Sequence, residues 1–222
     1  MLDLQSIKSA KHILLKANKE SFANANALYS YILTLQKRVS LYVDEQLPHS
    51  YVSLPWFTQV KRSFPGSADY TVEVSSDTLG YFTFFQEHDI KLNEKMATSL
   101  YAGLLMQYKN FTSREVDGMV FATALSLIES KAEYKKMQDS FAYTESLASF
   151  RLRARLFGSM LLHKSATEAV LYLSDEDLKS SGAALEDAKN IMHEAMQIAH
   201  VKRVVLLKSD ENMRIITILE EK

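Results

Sequence analysis

The chain contains no cysteine. Disulfides and thiolate metal ligands are therefore excluded, and a reducing compartment such as the cytoplasm suits it. Proline and glycine are scarce, three and six in 222 residues. That scarcity favours long regular elements, and neither a phosphate loop nor a dinucleotide fingerprint occurs. No run approaches the ~20 apolar residues that span a bilayer, so no membrane association is expected. Met1-Leu-Asp-Leu-Gln-Ser6 lacks the basic start and apolar stretch of a secretory signal. An excess of one charge is missing too: 26 Lys and Arg face 27 Asp and Glu, for a net charge of −1. Such a chain has no overall field drawing it to phosphate, and a free-standing DNA reader usually needs one. Any nucleic-acid role must then rest on a local patch or on a partner.

What is present is the material of a folded protein. Hydrophobic residues make up 47% and charged residues 24%, enough to bury one large core or two small ones. Leu4 to Ala17 has helical spacing, with Leu4, Ile7, Leu14 and Ala17 on one side and Lys8, Lys11, Lys16 and Lys19 forming a stripe. Ser21 is placed to cap a second helix reaching to about Val43. Ser53-Leu-Pro-Trp-Phe-Thr-Gln-Val60 reads as a short capped helix with Trp56 as a core plug. Tyr70-Thr-Val-Glu-Val74 and Tyr81-Phe-Thr-Phe-Phe85 flank a Ser/Asp/Gly turn and are expected to form a hairpin. Leu92 to Tyr108 is the clearest helix in the chain, and Thr112-Ser-Arg-Glu115 has capping-box spacing before another. Thr144 to Leu162 is expected to be helical, although Phe150 to Phe157 alternates strictly and could be a strand. Ser174-Asp-Glu-Asp-Leu178 is an acidic helix start. Ala184 to Ala199 reads as an amphipathic helix, and Val201 to Leu219 as a second hairpin turning at Lys208-Ser-Asp-Glu-Asn-Met213.

The order is helices then hairpin, twice. The expected class is α+β, predominantly α-helical, with tandem winged-helix domains each ending in a β-hairpin. The expected division is 1–90 and 91–222, the second with a helical insertion around 126–173.

Chemistry is harder to find. His193-Glu194 begins like a zinc-protease helix, but Gln197 stands where the second ligand belongs. His193 and His200 lie seven apart with no acidic third ligand on that face. His49 and His88 have no sequence partners, and no Gly-x-Ser-x-Gly elbow occurs. No catalytic residue, metal or cofactor is expected, and the chain reads as a binding module rather than an enzyme. The residues to weigh are Lys202, Arg203, Lys208 and Arg214 on the last hairpin, candidate contacts to DNA phosphates. The alternative reading makes them solubilising charges on an exposed ribbon. The final helix would repel a phosphate backbone through Glu186, Asp187 and Glu194.

In pattern, the sequence resembles the MukE and MksE subunits of bacterial condensins, in the wider KITE group of tandem winged-helix proteins. Tyr70-Thr-Val-Glu-Val74 through Gly80-Tyr-Phe-Thr-Phe84 resembles the first wing. Leu92 to Tyr108 with Phe111-Thr-Ser-Arg-Glu-Val116 resembles two helices of the second module, and Met196 to Val205 with Asn212 to Thr217 its last helix and wing. The resemblance implies a non-enzymatic homodimer that binds a kleisin-like protein and, through it, an SMC ATPase, in chromosome organisation or plasmid defence. It implies a nucleoid-associated place within the expected cytoplasmic location, while the near-zero net charge leads to an expectation of only weak, non-specific DNA binding by the chain alone. Tyr29, Trp56, Phe57, Phe64, Tyr81, Phe84 and Phe85 are the expected interface anchors. The alternative function is a winged-helix DNA-binding protein, either a transcriptional regulator or a plasmid replication factor.

Overall fold

A strand runs through what helical spacing marks as the first helix. The computed structural model describes residues 3–64, 66–142, 146–210 and 212–220. In it, α1 (Leu4–Ser9) is capped by the Asp3 carboxylate, which accepts from the backbone N–H groups of Gln5 and Ser6. It ends at Ala10, and β1 (His12–Lys16) follows. His12 to Leu15 are all buried, with Ile13 and Leu15 on the core side and Leu14 on the other face. A central strand of a parallel sheet is apolar on both sides. Its run of apolar residues fits a helical template as readily as a strand.

The same correction applies to the second expected helix. α2 (Phe22–Thr34) is buried from Phe22 to Ile32, then stops where Gln36 takes a left-handed φ of 57°. β2 (Arg38–Tyr42) fills the remainder. The stretch around Trp56 forms two 3-10 turns, His49–Ser53 and Phe57–Gln59, and leads into the short β3 (Val60–Lys61). β4 (Tyr70–Glu73) completes a four-stranded sheet of order β3-β2-β1-β4 in which every pairing is parallel. Leu15 lies in register with Leu41 on one side and Val72 on the other.

The first expected hairpin does not form. Tyr70 to Glu73 is a strand, but Tyr81-Phe-Thr-Phe-Phe85 lies inside α3 (Thr78–Glu87). Asp77 caps that helix by accepting from Gly80 N at 2.9 Å, and Tyr81, Phe82 and Phe85 share the face it buries. Burial of an i, i+1, i+4 aromatic set outweighs the strand propensity of those residues. α4 (Glu94–Gln107), capped by Asn93, matches the expected helix and packs along α2. α5 (Gly118–Glu129) starts from Asp117 rather than Thr112, and α6 (Tyr134–Ala142) follows.

These elements make up one compact unit, Met1–Thr144, and Glu145–Lys222 makes the other. The division at 1–90 and 91–222 differs because α4 belongs with α2 in the first core. In the second unit α7 (Leu147–Gly158) settles the Phe150–Phe157 ambiguity as helix, with Leu152 and Leu156 fully buried. The region expected as a helical insertion also holds β5 (Leu161–His163) and β6 (Glu168–Leu173). α8 (Asp175–Ser181) begins with a true capping box between Ser174 and Asp177 and ends at Gly182, whose φ of 74° is left-handed. α9 (Leu185–Ala195) leads to β7 (Arg203–Lys208) and β8 (Arg214–Glu220).

The final hairpin is therefore present, but it does not end a winged helix. Its β7 pairs in parallel with β6, giving a mixed sheet of order β5-β6-β7-β8. A parallel pair joined through two helices is a βαβ unit. The architecture is mixed α/β, and the expected tandem of helices-then-hairpin modules is replaced by a parallel sheet in one unit and a mixed sheet in the other.

Candidate functional site at the carboxyl edge of the parallel sheet

In the parallel sheet, the chain passes from β1 outward to β2 and β3, then returns to place β4 on the opposite side of β1. The order reverses between β1 and β4. In open α/β sheets ligands bind outside the carboxyl ends of the strands at such a switch point. Lys16 ends β1, Glu73 ends β4, and the two are paired across it with Lys16 Nζ to Glu73 Oε1 at 2.9 Å. The Glu73 carboxylate raises the Lys16 pKa, first by hydrogen bonding and then by its charge. Both side chains stay largely open to solvent.

Beyond Lys16 the loop to α2 is shaped by its own side chains. Asn18 Oδ1 accepts from Ser21 N at 2.9 Å, and Ser21 Oγ accepts from Asn18 N at 3.1 Å. This reciprocal Asn18–Ser21 pair takes Ser21 away from capping duty, and no side chain caps α2. The first turn of α2 carries no acidic residue, but Glu20 stands just before it and the Glu45 carboxylate accepts from Lys19 N, so carboxylates already sit near the positive end of its dipole. Tyr51 pins the loop from the far side by donating to the Lys19 carbonyl at 3.0 Å. Burial, helped by Glu20 and Glu45, pushes the Tyr51 hydroxyl up to about 12, so it remains a donor at any ordinary pH.

Beneath the crevice the side chains are neutral and tied to one another. Asn24 donates to the Ser75 carbonyl at 3.1 Å and accepts from Thr78 Oγ1 at 3.0 Å. Gln107 accepts from Thr78 N at 2.9 Å, and the Tyr81 hydroxyl accepts from Ser75 N at 3.1 Å. Gly103 lets α4 approach this knot: a Cβ there would lie 2.6 Å from Thr78 Oγ1 and 2.8 Å from Asn24 Oδ1. Asn24 and Thr78 are buried, leaving Lys16, Asn18, Lys19, Glu73 and Ser75 at the surface. The arrangement can hold an anion at Lys16 and Lys19 over a rigid floor if it displaces their carboxylate partners, Glu73 at 2.9 Å from Lys16 and Glu20 at 3.6 Å from Lys19.

Metal chemistry has fewer supports here. Among the described residues no group of three or more His, Asp or Glu is gathered closely enough to hold a metal ion. The residues beneath the switch point are amides and hydroxyls, which suit hydrogen bonding better than tight divalent coordination.

The four residues singled out in the sequence all belong to the second unit. Arg203 opens β7 and pairs with Glu168 at 3.2 Å and Glu220 at 3.1 Å. Lys208 closes that strand and pairs with Asp175 at 3.1 Å. Arg214 stands opposite Lys208 at the start of β8, and Lys202 is exposed just before β7. Arg203 and Lys208 are thus held by carboxylates. Tyr29, Tyr81 and Phe85, weighed as interface anchors, are buried in the first unit's core. Sequence reasoning missed Lys16 as a site residue because it placed that residue on a helical stripe. The signal was available in His12-Ile-Leu-Leu-Lys16, a short apolar run followed by polar residues and then a long apolar helix.

No protein-family model and no curated protein matches the sequence. Solved structures do match the fold. An exopolyphosphatase-related protein from Bacteroides fragilis superposes with a TM-score of 0.74 at 12% identity, covering 94% of this chain and 79% of that one. A putative family II inorganic pyrophosphatase from Methanococcus jannaschii aligns over 89% of this chain and 64% of its own at 10% identity, but its TM-score of 0.30 carries no argument. The first match, with the parallel sheet, overturns the expected condensin-like accessory subunit and its winged-helix regulator alternative. It overturns the non-enzymatic assignment as well, since that rested on the winged-helix reading. At this identity what is shared is the fold: that of an exopolyphosphatase-related protein.

Proposed function

We propose that this chain is a phosphoanhydride-directed protein of hydrolase type, receiving a pyrophosphate or short polyphosphate group in the crevice between β1 and β4. The observation that carries the reading is Lys16 at the topological switch point, with Lys19 on the same loop and the uncapped α2 below. The fold shared with an exopolyphosphatase-related protein supports the choice of ligand class.

The chemistry asked of these residues is modest. Phosphoryl transfer depends mainly on positioning and on neutralising the charge of the phosphoryl oxygens. Lys16 is an ammonium at the strand end, restrained by Glu73 and able to exchange that carboxylate for a phosphate oxygen. Lys19, 3.6 Å from Glu20, adds a second cation by the same exchange, and the α2 dipole favours negative charge above it. Metal ions often share this task, but the donors gathered here do not fit a resident one.

Titration calorimetry with pyrophosphate and tripolyphosphate tests the reading, beside phosphate release measured with magnesium and with manganese. Lys16→Met is expected to weaken binding about tenfold, as loss of one charged hydrogen bond of ~1.5 kcal/mol would. Glu73→Gln is expected to tighten it by freeing Lys16. If neither compound binds at millimolar concentration, or if Lys16→Met leaves affinity unchanged, the reading is wrong.

A further inference from the structure

On the side away from β1, β4 has no strand beside it among the described residues. All four of its residues, Tyr70 to Glu73, line one cleft of about 690 Å³. Successive side chains of a strand point to opposite faces. A cleft that touches four in a row must therefore run along the backbone edge of β4 rather than over one face. Its other wall is α3, through Gly80, Thr83, Phe84 and Glu87.

An open strand edge with a helix alongside is the geometry in which an extended peptide joins a sheet as an extra strand. Proteins usually blunt such edges with lysine, proline, a bulge or a covering segment. Tyr70-Thr-Val-Glu73 has no lysine or proline, and its register with β1 runs without interruption. Charge narrows the occupant. Glu73, Asp77 and Glu87 line the cleft, and no Lys, Arg or His does. Glu87 makes no ion pair among the described residues. Along the α3 wall, away from Lys16, a phosphate-rich ligand is repelled by Asp77 and Glu87, and a basic one is drawn in.

We propose that the groove between β4 and α3 binds an extended, basic peptide segment of a partner protein as a fifth strand of the parallel sheet. The four residues of β4 offer backbone partners over roughly 13 Å. Side chains of the incoming strand alternate between the two faces. On the helix side they meet Thr83, Phe84 and Glu87, and on the other they meet Thr71 and Glu73. A lysine or arginine on the helix side finds Glu87, and one on the other face shares Glu73 with Lys16. This proposal does not rest on the phosphoanhydride reading, whose cations lie on the β1 side of β4.

The test uses the full chain and a fluorescein-labelled peptide, Lys-Val-Lys-Thr-Lys-Val with neutral ends, beside its counterpart with Glu for Lys. Fluorescence anisotropy should show the lysine peptide binding at least about tenfold more tightly than the glutamate peptide. Its binding should slow amide hydrogen exchange at Tyr70–Glu73. Glu87→Lys and Thr83→Arg, both at exposed positions outside the core, should each weaken binding by about tenfold or more. Glu87→Gln should give a smaller loss with an unchanged thermal midpoint, separating charge from folding. Equal affinity for the two peptides, unchanged affinity in the variants, or unaltered exchange at Tyr70–Glu73 would overturn the proposal. So would a dimer in light scattering that Thr83→Arg dissociates, since a second copy would then hold the groove.

Discussion

Gly103 shows how closely the crevice floor is fitted. Replacing it with alanine gains up to about 1 kcal/mol of helix propensity. The new methyl, however, falls 2.6 Å from Thr78 Oγ1 and 2.8 Å from Asn24 Oδ1, and overpacking costs about 1–3 kcal/mol. The clash dominates, because the atoms it meets are buried and bonded to each other. Gly103→Ala is expected to destabilise the first unit by about 1–2 kcal/mol in urea denaturation. Nothing in the sequence marks this glycine, since its constraint comes from residues 25 and 79 positions away in the chain. Ser174 is the opposite case, legible because its partner is three residues on. Its hydroxyl accepts from Asp177 N at 3.0 Å and donates to the Asp177 carboxylate at 2.6 Å. Burial raises the pKa of Asp177, but the hydrogen bonds from Ser174 and then Arg155 outweigh it and leave it lowered. A lowered folded value means that this stability is present above the ordinary carboxylate pKa and lost as pH falls through the folded one. Ser174→Ala should cost about 1 kcal/mol at neutral pH. In thermal melts, its difference from the parent should shrink below about pH 4.

At the scale of elements, local signals are legible in the sequence and distant pairings are not. α4, α8, α9 and the β7–β8 hairpin all follow from caps, spacing or an adjacent turn. β1 did not, because its partners are Arg38–Tyr42 and Tyr70–Glu73, far along the chain, and burial on both faces removes the alternation that betrays a strand. α3 was misread because Tyr81, Phe82, Phe84 and Phe85 favour strands in isolation, and only the core they enter makes them helical. The candidate site depends on β1, so it was illegible for the same reason. α7 is where a helix and a strand fitted equally, and its buried pair, Leu152 and Leu156, now identifies the core-facing stripe. Truncation of Leu156 to alanine should remove about 2–5 kcal/mol from whatever unfolds with that stripe.

For the whole molecule, the apolar core is in two parts. One cluster runs from Ile7 to Met137, and the other from Leu152 to Leu206. Each unit thus has its own reason to fold. Calorimetry should resolve separate unfolding transitions, with Leu156→Ala lowering one and Gly103→Ala the other. A single transition displaced as a whole by both substitutions would show that the units melt as one body. Among the described residues no helix is long and apolar enough to cross a membrane.

The return of the chain from β3 to β4 also sets an order in time. Every strand of the parallel sheet lies within the first 73 residues, while α4, which presses on α2 above that sheet, ends at Gln107. At about 5–20 residues per second, a ribosome releases the strands a few seconds before the helix that packs over α2. During that interval α2 can cover one face of the sheet, but nothing shields its edges. The unguarded edge of β4 is then a hazard to the nascent chain, and whatever binds that edge early would also protect it.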